Sequence, residues 1–406
     1  MNRIAVIGGG AAGFFAALSA KEHHPNADVL LLEKTSTVLA KVKISGGGRC
    51  NVTHATKDID ALCSAYPRGG KQLRNNFYRF DPTDTRNWFE SRGVALKIES
   101  DGRVFPVSNN SQTIIDCLVQ EAKKRSVVIQ YNTSISKLES TIESKWSLIT
   151  KNQSFEGTFD AVIIATGGSP KKKGLDWLGD LGHEINSPVP SLFTFNMPEE
   201  SITELMGVSV QDAQVKIKGT KFQSQGSLLI THWGMSGPAV LKVSSIGARS
   251  LNALDYQFDI QINWVQERNT ETLFDQIQKW IKKYPQKTLT NQKAFSLPNR
   301  LWLFLLKKCN LSPDKKWSEL GKKQVRKMVE LLSRDTYKVS GKTTFKEEFV
   351  TCGGVKLNNI DLRTMESKKC SGLYFAGEVM DIDAITGGYN FQAAWTTGFI
   401  AGQLKK

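Results

Sequence analysis

Ile4-Ala-Val-Ile7 runs directly into Gly8-Gly-Gly10-Ala11-Ala12-Gly13 near the start of the chain, and the larger features of the sequence are organised around this passage. Four apolar residues bounded by glycine predict a short buried strand, and the alanine-rich run from Phe14 to about Lys21 predicts the helix after it. Gly8 permits a tight turn, Gly10 lets backbone approach a pyrophosphate, and Gly13 lets helix and strand pack closely. The free N–H groups at the helix start attract phosphate. A second apolar run, Val29 to Leu32, follows the Pro25-Asn26 break and ends at Glu33, twenty positions beyond Gly13. A carboxylate there accepts hydrogen bonds from a ribose diol and repels a 2′-phosphate, so the bound nucleotide is expected to be unphosphorylated at that position.

A chain of 406 residues exceeds one ordinary core and predicts two or three domains. Hydrophobic content of 40% and charged content of 23% are globular values, and no stretch approaches the roughly twenty apolar residues that span a bilayer. The opening Met-Asn-Arg lacks the small-residue cleavage site of a secretion signal. Six scattered cysteines, Cys50, Cys63, Cys117, Cys309, Cys352 and Cys370, form no Cys-x-x-Cys pair. They predict reduced thiols in a cytoplasm, with neither a metal site nor a redox disulfide. Net charge is +15, and between Gln266 and Lys346 nineteen Lys or Arg stand against seven Asp or Glu, a net of +12. Two readings stand: a lysine-rich solvated surface, or a polyanion-binding face that gains affinity by releasing counterions.

Lys41-Val-Lys43-Ile-Ser45-Gly46-Gly47-Gly48-Arg49-Cys50-Asn51-Val-Thr53 follows Glu33. Three consecutive glycines cost too much backbone entropy for a regular strand or helix interior, so a backbone-lined loop is expected. It suits a flat or anionic ligand, with Arg49 as a donor fork and Asn51 as mixed donor and acceptor. A purely structural turn is the alternative.

Ile44 to Thr53, the opening Ile4 to Gly13 and two later stretches together resemble the HI0933-like family of flavoproteins, also called YhiN-like or BaiN-like, over essentially the whole chain. The resemblance implies FAD held at Gly8, Gly10, Ala11, Ala12, Gly13, Glu33 and Lys34, and at Lys41, Gly47, Gly48, Arg49, Cys50 and Asn51. It also implies a backbone contact near the adenine at Ile135 and a second touch at Ala165-Thr166-Gly167, where the apolar run Phe159 to Ile164 ends. Two departures from the family pattern are visible. Ala40 stands where the family usually has glycine, and Pro170-Lys171-Lys172-Lys173-Gly174 replaces a glycine-rich segment that normally lies near the flavin.

From Pro188 to Ile262, short alternating runs between polar turns predict a small antiparallel sheet or barrel. Within it, Thr231-His232-Trp233-Gly234-Met-Ser236-Gly237-Pro238 reads as a loop ending in a proline-started helix, and matches the family closely. His232 either contacts substrate or only fixes the turn by hydrogen bonding. Thr270 to Arg334 carries the basic excess in about three helices broken at Pro285, Pro298 and Pro313; Trp280, Trp302, Phe304, Leu305 and Trp317 are expected in its core. The C-terminal strand Leu373 to Ala376 ends at Gly377-Glu378, where backbone or carboxylate would meet the ribityl chain. Thr386-Gly387-Gly388-Tyr389-Asn390 then begins a helix whose amides would face the pyrimidine edge of an isoalloxazine.

The expected fold is α/β, with a Rossmann-type FAD-binding domain at 1–188 and 347–406, an inserted antiparallel β-barrel-like domain at 189–265 and 335–346, and a basic helical subdomain at 266–334. The expected activity is FAD-dependent hydride transfer to an electron-poor double bond. NAD(P)H would visit only as a transient donor, since no second glycine fingerprint exists. Arg49 would steady an anionic or carbonyl group, and His232 or Tyr389 would supply a proton. The family resemblance and the basic segment together favour a uridine of ribosomal RNA as acceptor. A small unsaturated or amine metabolite, or RNA binding without turnover, are the alternatives.

Overall fold

The computed structural model describes residues 3–150, 154–267, 269–343 and 350–405. Two units emerge, Met1–Ser191 with Lys346–Lys406, and Leu192–Phe345. The domain change expected at 346–347 lies outside the described residues.

In the first unit, strand Arg3–Ile7 pairs in parallel with Asp28–Leu32 on one side and Ala161–Ile164 on the other. Val128–Gln130 and Leu373–Phe375 extend the parallel sheet outward, and the short strands Glu366–Ser367 and Ile360–Asp361 add an antiparallel edge beyond the latter. Ile4, Ala5, Val6 and Ile163 are fully buried, which is why these strands read as unbroken apolar runs rather than alternations. The parallel strands thus lie in chain order 3-2-1-4-5, a doubly wound arrangement.

Helix Ala11–His23 is longer than the expected Phe14 to Lys21 because Gly13 lies inside it. It packs against the final helix, Tyr389–Gln403, almost backbone to backbone. A Cβ on Gly398 would lie 2.5 Å from the Ala12 carbonyl oxygen, and one on Gly402 2.3 Å from that of Ala16. Phe15 fills the remaining space, its ring centroid 4.6 Å from both Trp88 and Trp395. The two ends of the chain are thereby joined in one hydrophobic core. An antiparallel meander, Ile135–Ser140, Trp146–Thr150 and Ser154–Phe159, leads into the fourth parallel strand. A second small sheet joins Thr53–His54, Arg103–Pro106 and Leu96–Ile98.

The second unit is built on a seven-stranded antiparallel sheet running from Asp335–Ser340 at one edge to Lys342–Thr343 at the other. Gly341 sits between these edge strands; its N–H donates to Tyr256 O at 2.9 Å and its carbonyl accepts from Asn196 N–H at 3.1 Å. The sheet therefore curls toward closure through one residue, in keeping with the barrel-like pattern of the sequence. Helices Thr270–Lys283, Asn299–Lys308 and Lys322–Arg334 share one core with this sheet. Trp302 and Trp317 are buried within it, whereas Trp280 and Phe304 are only half-buried. Among the described residues, no helix is long and apolar enough to cross a membrane.

Candidate cofactor site

Four parallel strands of the first unit deliver loops at their C-terminal ends, the edge where doubly wound sheets bind ligands. Ile7 leads into Gly8–Gly13, Leu32 into Glu33, Ile164 into Ala165–Gly167, and Phe375 into Gly377–Glu378. The glycines of the first loop have separable reasons. A Cβ on Gly8 would come within 2.3 Å of the Ala165 oxygen, and one on Gly13 within 1.9 Å of the Gly8 oxygen. Among the described residues, nothing lies within 4 Å of a Cβ placed on Gly10, so that face is open. Gly10 caps the helix, and among the described residues no side chain bonds its first amides and no acid occupies its first turn. The N–H groups at Ala11, Ala12 and Gly13 are left for an anion.

Glu33 sits at the far side of this turn. Its Oε2 accepts from Gly9 N–H at 2.9 Å, and its Oε1 from Thr35 N–H at 2.9 Å and Thr35 Oγ–H at 2.8 Å. Thr133 N–H donates to the Glu33 carbonyl at 2.8 Å, which brings the segment leading to half-buried Ile135 alongside. The Lys34 side chain is exposed.

The glycine-rich loop is helical from Ala40, then breaks: Gly46, Gly47 and Gly48 take φ values of +58°, +68° and +81°. Three left-handed residues in a row explain the triple glycine. Arg49 is already engaged, with Nη1 2.7 Å from Glu99 Oε1 and its guanidinium 4.0 Å over the Phe105 ring. Cys50 is wholly buried, and burial pushes its thiol up to about 12, so only its backbone can meet a ligand. The Asn51 carboxamide donates to Thr53 O (3.0 Å) and Val104 O (3.3 Å) and accepts from Gly388 N–H (2.9 Å), stitching this loop to the start of the final helix.

Lys41 Nζ lies 2.8 Å from Glu378 Oε2, and Glu378 Oε1 accepts from Thr351 N–H at 2.7 Å. Thr351 Oγ is buried without a hydrogen-bond partner among the described residues, and a Cβ on neighbouring Gly168 would lie 2.4 Å from it. Among the described residues, Gly167 like Gly10 faces open space. Gly388 caps the final helix, again with no side-chain cap and no acid in the first turn. The Tyr389 ring stacks on His54 at 4.8 Å, and burial pushes its phenol above the ordinary range. The Asn390 carboxamide is spent on both backbone groups of Ala384, at 2.9 and 3.1 Å. An open glycine face, two uncapped helix starts, a carboxylate after the second strand and an orphan hydroxyl fit a dinucleotide with an adenosine half and a ring half.

His54, Tyr66 and Gln392 escaped sequence reasoning. His54 Nδ1 lies 2.6 Å from Thr56 Oγ and its Nε2 3.0 Å from Asp101 O. Tyr66 Oη donates to Tyr389 O at 2.6 Å, and Gln392 Oε1 accepts from Thr53 Oγ at 2.6 Å. Only their nearness to the quoted loops signalled them. His232 belongs to the second unit, unlike Arg49 and Tyr389. It is exposed on the turn between strands Gln223–Thr231 and Gly234–Ser236, edge-on to Trp233 at 4.4 Å.

A family model described as HI0933-like protein Rossmann domain matches residues 2–404. The chain is 30% identical to a protein of Escherichia coli K12 named ribosomal RNA dihydrouridine synthase, over 98% of this chain and 96% of that one. It is 27% identical to the 3-dehydro-bile acid delta(4,6)-reductase of Clostridium scindens, over 99% and 98%. Among solved structures, a 3-ketosteroid-delta4-(5alpha)-dehydrogenase from Rhodococcus jostii RHA1 aligns over 100% of this chain and 97% of its own, with a TM-score of 0.51 at 13% identity, a likeness of fold alone. The match across nearly the whole chain, on a doubly wound parallel sheet, makes this protein a member of the HI0933-like family of FAD-dependent oxidoreductases.

Proposed function

We propose that this protein reduces a carbon–carbon double bond conjugated to a carbonyl, and that its acceptor is a uracil base in ribosomal RNA. The observation that carries the RNA assignment is the cationic face of the second unit. Lys307, Lys322, Lys323 and Lys327 are exposed on two packed helices, with no ion pair to any of them among the described residues. Lys308 differs, being paired with the buried carboxylate of Asp335. A neutral metabolite has no use for such a face, whereas phosphate contacts there release counterions and bind in a salt-dependent way. Trp302 and Trp317 are buried, so the face contacts phosphates rather than stacking on bases. The E. coli relative's name agrees with this reading.

FAD, held by the segments around Gly8–Gly13, Glu33 and Gly388, would supply the hydride when reduced. Reduction of uracil adds hydride at C6 and a proton at C5, giving 5,6-dihydrouridine, and the two electrons would come from a nicotinamide dinucleotide that visits and leaves. Tyr389, whose phenol stays protonated through neutral pH, is the first candidate for the proton, and His232 the second. Arg49, fixed by Glu99 and Phe105, offers its remaining guanidinium N–H groups to a carbonyl or phosphate.

The test is the dihydrouridine content of ribosomal RNA from a strain lacking the gene, re-expressing either the native chain or one carrying Lys→Glu at 307, 322, 323 and 327. Loss of one dihydrouridine, restored only by the native chain, is the expected result. An unchanged modification pattern overturns the RNA assignment. It would favour a free conjugated ketone, the substrate class in the name of the Clostridium scindens relative. Salt-sensitive RNA binding without turnover would instead mark a non-catalytic binding protein.

A further inference from the structure

Segments 65–69 and 382–390 are fastened to each other at successive points. Arg68 and Asp383 form an antiparallel backbone bridge. The Arg68 guanidinium also grips the Asp383 carboxylate with two prongs, Nε to Oδ1 at 2.6 Å and Nη2 to Oδ2. Asp383 is fully buried, and Ser191 Oγ adds a third bond to Oδ2 at 2.7 Å. On either side, Ile385 N–H donates to Ala65 O at 2.9 Å and Tyr66 Oη to Tyr389 O at 2.6 Å. A Cβ on Gly69 would come within 2.8 Å of Ile382, so the two segments have no slack between them. The fastened loop ends at Gly388, the cap of the final helix, and contains Ala384, to which Asn390 is tied.

We propose that Arg68 is a positioning residue for the flavin. By holding Asp383 in a fixed two-pronged geometry, it sets the loop from Ile382 to Gly388 and hence the direction of the amides at the start of the final helix. Among the described residues Arg68 is the one cation paired with Asp383, so the charge pairing at this point of the loop rests on a single side chain. Arg68 acts through the loop and has no chemical role of its own. The inference rests on the reading that the start of this helix faces the isoalloxazine. A guanidinium and an ammonium differ in the property that matters here, because lysine keeps the charge beside a buried carboxylate but cannot form the fork.

The experiment compares full-length native protein with Arg68→Lys and with the double variant Arg68→Met/Asp383→Asn, the latter removing both charges so that neither is left buried alone. Measured are the FAD dissociation constant, the reduction potential of the bound flavin, and amide hydrogen exchange by segment. For Arg68→Lys we expect a dissociation constant raised about tenfold, a shifted potential, and faster exchange confined to 382–390, with strand Arg3–Ile7 unchanged. The double variant should show the same local exchange even where it melts at the native temperature. Native exchange in both variants overturns the proposal, and so does exchange raised equally across the unit, which would mark an ordinary structural ion pair. Local loosening with native affinity and potential also overturns it, by showing that the loop does not govern the flavin.

Discussion

Glu33 Oε2 accepts a hydrogen bond from the N–H of Gly9 at 2.9 Å, so the end of the second strand directly braces the glycine turn after the first. Glu33→Ala removes this brace and the carboxylate expected to meet a ribose. Hydrogen bonds to a charged group contribute about 1.5–3 kcal/mol each. The FAD dissociation constant should therefore rise by roughly ten- to a hundredfold, read by titration of the apoprotein with flavin. Native affinity in the variant would show that the carboxylate only shapes the turn.

Gly10 and Gly13 should behave oppositely when changed to alanine. Gly10 has φ −91° and an open face. Gly10→Ala should fold with a melting temperature near native in the absence of flavin, yet bind FAD poorly, because the new methyl occupies the cradle. At Gly13 the methyl would lie 1.9 Å from the Gly8 oxygen, so Gly13→Ala should lose about 4 kcal/mol of stability. Thermal melts of the two apoproteins, followed by flavin titration of whichever remains folded, check both.

His183 gives the first unit a pH dependence. Its Nδ1 lies 3.1 Å from Leu178 O, which can only accept, and its Nε2 lies 2.7 Å from Ser367 Oγ. Ser367 Oγ already accepts from the amides of Lys369 and Cys370, each at 3.0 Å, so its proton points to a neutral imidazole. Burial holds the folded pKa below the ordinary 6.5. The unfolded chain therefore binds more protons in the window between the folded value and 6.5. Stability from this group is complete above 6.5 and is lost as pH falls through that window. Melting temperatures measured from pH 8 to pH 5 should fall more steeply for the native protein than for His183→Gln.

Trp302 separates core from the proposed contact surface. It is 1% exposed and donates to Leu289 O at 2.8 Å. Trp302→Ala should cost about 3–5 kcal/mol of stability while leaving RNA affinity of the folded fraction unchanged. Lys322→Glu with Lys323→Glu should do the reverse, lowering affinity and flattening its dependence on salt. Filter binding at two salt concentrations, with denaturant melts, distinguishes the two.

Much of the first unit was legible because its signals are local. The strand and helix around Gly8–Gly13 and the acid after the second strand lie within thirty-odd residues, and backbone sterics alone demand glycine at Gly8 and Gly13. The triple glycine declared a non-repetitive backbone, and the left-handed run from Gly46 to Gly48 is what it encodes. The alternating runs after Pro188 announced an antiparallel sheet, since a period of two follows from the pleat.

Contacts across long sequence separations were not legible. Arg49 read as a fixed donor fork, and that Glu99, fifty residues on, occupies one of its prongs is visible only in the fold. Asn390 read as a cofactor contact at the helix's first amides, and that its carboxamide is tied to Ala384 was not visible. The Arg68 and Asp383 pair, 315 residues apart, has no sequence signature, because nothing in either neighbourhood says which charge the fold will bury beside it. The backbone able to hold a dinucleotide was written into near neighbours along the chain, because sterics and periodicity act locally. Which side chains remain available to a ligand emerged from the packing of the fold, because pairing is settled in three dimensions.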